Sequence, residues 1–309
     1  MTKRAPEDRA PLLPRRRELL RHGAALGIAG ALGPQFAGSA FAQADDLAPY
    51  KAAKINWRQV EGESITVAVI PASYFENLIS LQPQFEALTG IKLRFEKVPP
   101  GQVRQKALLD LSSKTATYAT HAADPMYYPL YVANKWVEPL DRYLNDATLT
   151  DGAWFKFDDI IKAWRDADSI DGKRVTSIWN WGFPINAALS DRAKKATWLF
   201  VEWAASAETQ ARTSWKFAGP AKRSGINRVS QWRSPEFAAA MKDAGDNFIP
   251  AAIESLEQDT DVDWRPRVPQ WPAIGEAMGT AVQSALVGQK KPKEALDEAQ
   301  ARIQQILKG

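Results

Sequence analysis

The sequence predicts an α/β fold with one sheet-bearing lobe followed by a helical C-terminal part. Three observations carry this expectation. Strand, helix and strand succeed one another with short links between residues 65 and 98. About four strand candidates occur in all, and every one precedes Asn186. From Ser190 onward the pattern is helical. An ordinary sheet has about five strands, so four suffice for one sheet and not for two.

The chain opens with a segment that stands outside this fold. Arg15-Arg16-Arg17-Glu18-Leu19-Leu20-Arg21 precedes the weakly apolar stretch from Gly23 to Leu32. That stretch is too short to span a bilayer, which takes about 20 apolar residues. Small residues at Ala40 and Ala42, or at Ala42 and Ala44, then suit a signal peptidase. Arg16 and Arg17 followed by Leu19-Leu20 resemble a twin-arginine export signal. Residues 1–44 are therefore expected to be a leader, cleaved near Ala42 or Ala44. The competing reading is a basic amphipathic helix of the folded domain.

Order begins at Ile65-Thr66-Val67-Ala68-Val69-Ile70, a buried strand candidate ended by Pro71. Ser73 and Glu76 have capping-box spacing. The helix they open places Phe75, Leu78, Ile79, Phe85 and Leu88 on one face, with Pro83 at a potential kink. Gly90 suits a left-handed C-cap. Residues 91–98 alternate apolar and charged, a half-exposed strand. A helix over about 102–113, a short strand over 115–122 and an aromatic-rich helix around Tyr127–Val132 follow. Asp141 is expected at an N-cap, and 153–164 as a helix. Asp171-Gly172-Lys173 reads as a turn, and 175–181 as the last strand. Trp198 and Trp203 lie within the apolar stripe of a long helix, so both belong to the core. Ser234-Pro235 starts another helix. Further helices lie near 251–257, after Trp271-Pro272, and after Lys291-Pro292, the last with Leu296, Ala299, Ile303 and Ile306 inward.

Charge and composition narrow the function. The chain has 40 Lys+Arg and 36 Asp+Glu. Seven of the basic and three of the acidic residues lie in 1–44, which leaves 33 of each. The basic balance belongs to the leader, and a nucleic-acid partner would need a clustered basic face instead. Cysteine is absent, which excludes disulfide and thiolate chemistry. Outside the leader His121 is the single histidine, with no ligand-like His or Glu spacing around it. A hydrogen-bonded structural role is the better reading of it. No cofactor or metal is implied.

The order of elements resembles family 1 extracellular solute-binding proteins of ABC importers, the group that includes maltose-binding protein. Gln84-Phe85-Glu86-Ala87-Leu88-Thr89-Gly90-Ile91-Lys92-Leu93 resembles the family's "EFEKLTGIKV" stretch. Trp136-Val137-Glu138-Pro139-Leu140-Asp141 and the helix from Trp198 to Ser206 also have counterparts. So do Arg267-Val268-Pro269-Gln270-Trp271 and the segment from Gly288 to Leu296. The resemblance implies a periplasmic-binding-protein-like fold, two hinged lobes and a sugar, oligosaccharide or polyol ligand between them. It implies no enzyme. It also implies an inner-membrane ABC permease as partner, a periplasmic location in a Gram-negative bacterium, and a monomer.

The resemblance has a gap. In the family a long middle region, most of the second lobe, follows the Asp171-Gly172-Lys173 turn. Here that turn runs directly into Val175, and the strand count independently finds no second sheet. The expected organisation is a leader over 1–44, an α/β lobe over 45–217 with a deletion junction near 174–176, and a helical remainder of the second lobe over 218–309. With one wall reduced, the chain is expected to bind sugar weakly or not at all.

Sugar recognition needs flat apolar faces for C–H surfaces and polar groups for hydroxyls. Candidates near strand ends are Tyr74, Asp124, Tyr127, Trp179, Trp181 and Trp271. Arg223, in Ala221-Lys222-Arg223-Ser224, resembles the family's "RRS" turn. For each Trp the competing reading is core packing. Trp179 and Trp181 share one face of a strand, which lines a cleft or covers a helix. Two rival functions stand beside the receptor: a secreted carbohydrate hydrolase using paired carboxylates, and a non-binding remnant of a receptor.

Overall fold

The computed structural model describes residues 47–174, 181–217, 219, 225–263 and 266–308. Strand β1 (Ser64–Val69) lies at the centre of a parallel three-stranded sheet, between β2 (Lys92–Lys97) and β3 (Thr120–His121). Its register sets Ser64 opposite Lys92, Val69 opposite Lys97 and Val67 opposite Thr120. The β1 side chains are almost all buried, as a sheet covered on both faces requires.

The helical connection from β1 to β2 is broken in two, α1 (Ser73–Ser80) and α2 (Gln82–Thr89), with Leu81 between them. Pro83 sits in the first turn of α2, where no N–H is needed, so the chain restarts a helix there. The capping box does not form. Ala72 is the N-cap, Ser73 is already helical, and the Glu76 carboxylate pairs with Lys97 at 3.2 Å. Gly90 does end α2 in the left-handed region, at φ 69°. A Cβ there would also meet the Glu61 side chain at 2.6 Å, so glycine is required twice over.

Helix α3 (Pro100–Ser113) buries Val103, Ala107 and Leu111. The strand expected over 115–122 pairs only at Thr120 and His121. The buried Asp110 carboxylate explains the shortening. It accepts from Thr115 Oγ1 at 2.6 Å, from the backbone of Thr117 at 2.7 Å and Tyr118 at 3.3 Å, and from Asn186 Nδ2 at 3.0 Å. Those N–H groups go to a side chain instead of a ladder. His121 is buried and lies 3.3 Å from the Tyr131 hydroxyl, the structural role read from its surroundings.

A 3₁₀ turn (Pro125–Tyr127) leads into α4 (Tyr128–Ala133). Asp141 is the first residue of a short helix (Asp141–Leu144) and not its cap, which is Leu140. The single helix expected over 153–164 is three pieces: Gly152–Phe155, a 3₁₀ turn Phe157–Asp159, and α5 (Lys162–Ala167). Lys156 is left-handed, at φ 51°, and the Ile161 N–H goes to the Asn227 carbonyl at 2.9 Å. Pairing with residues 227–228 therefore interrupts the helix. The hairpin β4 (Ser169–Ile170) and β5 (Lys173–Arg174) turns at Asp171 and Gly172, both at positive φ. The strand expected over 175–181 lies outside the described residues except for Trp181.

Helix α6 (Asp191–Ala205) crosses the sheet and is buried along most of its length, with Ser190 capping the Ala193 N–H at 3.2 Å. Trp198 and Trp203 are fully buried, as their stripe predicts. Phe85, Phe183, Phe200 and Trp203 form an aromatic nucleus with ring centroids 5.2–6.1 Å apart. A smaller cluster of Ala211, Trp215, Ile226, Phe237 and Met241 organises the region after α6. The chain ends in two long helices, α7 (Trp271–Leu286) and α8 (Pro292–Lys308). In α8 Ala299 is inward but Leu296 is 55% exposed, against expectation. Among the described residues the strands form only the three-stranded sheet and the hairpin.

Candidate functional site

The C-terminal end of β3 delivers the chain to Asp124. This residue organises the site in two ways. Its carboxylate caps the following 3₁₀ turn by accepting from the Met126 N–H at 3.3 Å. It also receives Arg104 Nη2 at 2.7 Å. Arg104 projects from the first turns of α3, and its guanidinium carbon stands 5.2 Å from the centroid of the Trp181 ring. The arginine thus lies between a carboxylate and an aromatic face, an arrangement suited to its planar charge.

Tyr127 joins the same cluster. Its ring lies 6.1 Å from that of Tyr131. Burial raises its phenol pKa first, the positive Arg104 acts against this, and the charges of Asp124 and Glu276 add to it. Glu276 belongs to α7, which packs on the 3₁₀ turn.

Beside this cluster is a cavity of about 240 Å³. One wall is Pro125, Met126 and Pro129, with Trp164 and Ala167 of α5. The other wall is Thr260, Asp261 and Val262, with Pro266, Arg267 and Trp271. Arg267 ties the walls together. Its Nη2 donates to the carbonyls of Asp166 and Ala167, each at 3.1 Å, and to that of Ser169. The Asp166 and Ala167 carbonyls end α5, where a helix leaves acceptors unsatisfied and favours positive charge, and the Ser169 carbonyl belongs to β4.

The sequence candidates divide as follows. Asp124, Tyr127 and Trp181 come together around Arg104, and Trp271 lines the cavity next to them. Tyr74 does not join them. It is 2% exposed, its hydroxyl accepts from Gln210 Nε2 at 2.8 Å, and burial pushes its pKa up to about 12 against the hydrogen bonds of Gln210 and Thr213. Its strand-end position in sequence became a core position because α1 turns that face onto the helix after α6. Trp179 and Arg223 lie outside the described residues, as do Arg16, Arg17, Ala42 and Ala44. Sequence reasoning missed Arg104, Trp164 and Asp261. Arg104 adjoins the inward Val103, a signal that a basic residue stands at the rim of the core.

The arrangement offers aromatic faces, a carboxylate and a guanidinium around a small space. That combination recognises a compact, hydroxyl-rich molecule.

No family model matches the sequence. A stretch of 145 residues is 25% identical to the erythritol/L-threitol-binding protein of Mycolicibacterium smegmatis. It covers 45% of this chain and 30% of that protein, so the chain matches under a third of the relative's length. If 145 residues are 30%, the relative has roughly 480 residues against 309 here. Among solved structures, a ribitol-complexed ABC transporter solute-binding protein of Agrobacterium radiobacter superposes with TM-score 0.69 at 16% identity. The match covers 79% of this chain and 98% of that one. The chain has the fold of ABC-importer solute-binding proteins. A D-mannitol-bound protein of Agrobacterium vitis (TM-score 0.63, 14% identity, 80% of this chain and 99% of that one) shares this fold. So does a maltose-bound protein of T. maritima (0.64, 9%, 79% and 99%). Among the described residues no helix is long and apolar enough to cross a membrane.

Proposed function

We propose that the protein is the receptor component of an ABC importer and captures a small polyol or sugar. The observation that carries this reading is the two-walled cavity, with Trp271, Trp164 and Asp261 around it and the Arg104–Asp124 pair beside it. At roughly 30 Å³ per water, 240 Å³ equals the space of about eight waters. Such a space suits a polyol of four to six carbons better than a disaccharide. Erythritol, ribitol and mannitol are the ligands named for three of the similar proteins.

In this reading residues 1–44 direct export to the periplasm of a Gram-negative bacterium by the twin-arginine route. Residues 45–217 are the α/β lobe, 218–309 are what is left of the second lobe, and the junction lies near 174–176. A membrane permease receives the ligand. Thr260, Asp261 and Val262, with Arg267 and Trp271, stand in for part of the absent wall, so binding is weak but saturable. A few hydrogen bonds of about 0.5–1.5 kcal/mol and one or two stacking contacts of similar size give about 4–5.5 kcal/mol, a Kd of about 0.1–1 mM.

Calorimetric titration with erythritol, ribitol, mannitol and maltose tests this. Expected is binding of at least one polyol, weaker binding of maltose, and about a five-fold or greater loss in Trp271→Ala. Heat from none of the four would make the chain the non-binding remnant. Turnover of a sugar would favour the hydrolase.

A further inference from the structure

The last two helices carry an apolar face that nothing among the described residues covers. Helices α7 and α8 pack on each other through small residues, Ala281 and Ala285 against Ala295 and Ala299. Met278, Val282, Leu286, Leu296 and Leu307 are 45–78% exposed. Each follows directly a residue turned inward: Met278 after Ala277, Val282 after Ala281, Leu286 after Ala285, Leu296 after Ala295, Leu307 after Ile306. One residue is about 100° of helical turn. The two helices are joined by five residues, so they run antiparallel. In an antiparallel pair the same 100° step points both sets to the same side. The five side chains form one face.

The glycines of α7 belong to that face. Gly275 and Gly279 are one helical turn apart, and a Cβ at either would meet nothing within 4 Å. Each glycine weakens a helix relative to alanine. Their place beside Val282 and Leu286 leaves a flat track along which another helix can approach closely. Helix α8 is also poorly held on its own. Of its 17 residues only Ala295 and Ala299 are buried, and helices owe most of their stability to tertiary packing.

We propose that this face pairs with the same face of a second copy of the chain, forming a two-fold dimer through a four-helix contact. The area argues for it. The five exposed side chains present roughly 500 Å² of apolar surface, near the upper end of what a monomer shows. Two such faces bury roughly 1,000 Å², the size at which specific interfaces begin. The rim raises no barrier to self-pairing, because Lys293 pairs with Asp297 at 2.7 Å and Lys290 pairs with Glu298. A two-fold contact is self-complementary, so an apolar strip meets an apolar strip. The resemblance to solute-binding proteins implies a monomer; the exposure of Leu296, expected inward on α8, is what points to a pair instead.

Sedimentation equilibrium of the purified protein from about 1 to about 100 µM tests the pairing, a range that brackets a micromolar Kd. The wild type is expected to approach twice the chain mass over that range. Leu286→Glu combined with Leu296→Glu should raise the dimer Kd at least ten-fold. Both residues are exposed, so far-UV circular dichroism should stay unchanged. Gly279→Leu should also weaken the dimer by blocking close approach. Leu109→Glu is the control: Leu109 is 69% exposed on α3, away from the face, and should leave the Kd unaltered. A wild type that stays monomeric, a double variant with unchanged Kd, or an equal loss in Leu109→Glu would each overturn the proposal.

Discussion

Replacing Glu202 by methionine should stabilise the protein far more at neutral pH than at pH 4.5. Glu202 sits on α6 with no solvent exposure, and no side chain among the described residues pairs with its carboxylate, which has only the Asp151 backbone N–H near it. Burial raises its pKa well above the usual carboxyl range, the charge of Asp151 adds to this, and the Asp151 backbone N–H acts in the opposite direction. The folded state therefore holds a proton that the unfolded chain releases above about pH 4.3. Stability from this site is whole below that pH and is lost as pH rises toward the folded-state pKa. Each unit by which the folded-state pKa exceeds the unfolded one costs about 1.36 kcal/mol at a pH above both, with a ceiling of about 3.5 kcal/mol at pH 7. Methionine fills a similar volume without a titrating group. Its stabilising effect should therefore be larger at pH 7 than at pH 4.5, by up to about 3 kcal/mol. The assay is urea unfolding of both proteins at both pH values, compared by linear extrapolation. Equal effects at the two pH values would mean that Glu202 is ionised in the folded state. Destabilisation at pH 7 would mean that its carboxylate has a partner, and either result refutes the reasoning.

His121 should act in the opposite pH window. Burial holds its pKa down to about 4 despite the opposing charge of Asp110. The unfolded chain takes up a proton below about pH 6.5 and the folded chain does not, so stability should fall by about 3 kcal/mol between pH 6.5 and 4. His121→Gln should flatten that slope in urea melts; an unchanged slope would count against a buried neutral imidazole. Asp110→Ala should cost about 2–6 kcal/mol, because it strands the N–H groups of Thr117 and Tyr118 at about 1–3 kcal/mol each, while the Asn186 amide keeps its bond to the Tyr118 carbonyl. A loss under about 1 kcal/mol would show that water replaces the carboxylate there. Changing Arg16 and Arg17 together to lysine should reduce export at least ten-fold in cell fractionation, the twin-arginine route requiring both; undiminished export would refute that route.

Where sequence reasoning worked, the signal was local. The β1 apolar run, the alternation over 91–98 and Gly90 between them specify a parallel strand–helix–strand unit, and the structure has it. Ser234 caps a helix as its place before Pro235 predicts, and Ser190 caps the helix where the helical pattern begins. Where it failed, a distant group took over a local hydrogen bond. Asp110 claimed the N–H groups of the third strand, and Asn227 claimed the Ile161 N–H that would have continued a helix. The site followed the same rule. Asp124, Tyr127 and Trp181 were legible as polar and aromatic residues near strand ends. Arg104 was not, because its partners are 20 and 77 residues away in sequence.

By itself the sequence determined the order of elements, the one-sheet limit and the absence of thiol chemistry, because each depends on residue type, period or count. The tertiary structure decided which aromatics are core and which face the cavity, since Tyr74 and Trp271 differ only in what packs on them. It also decided that Leu296 lies exposed on α8. Helical spacing marks an apolar face, but whether anything covers that face depends on elements elsewhere in the chain or on another chain.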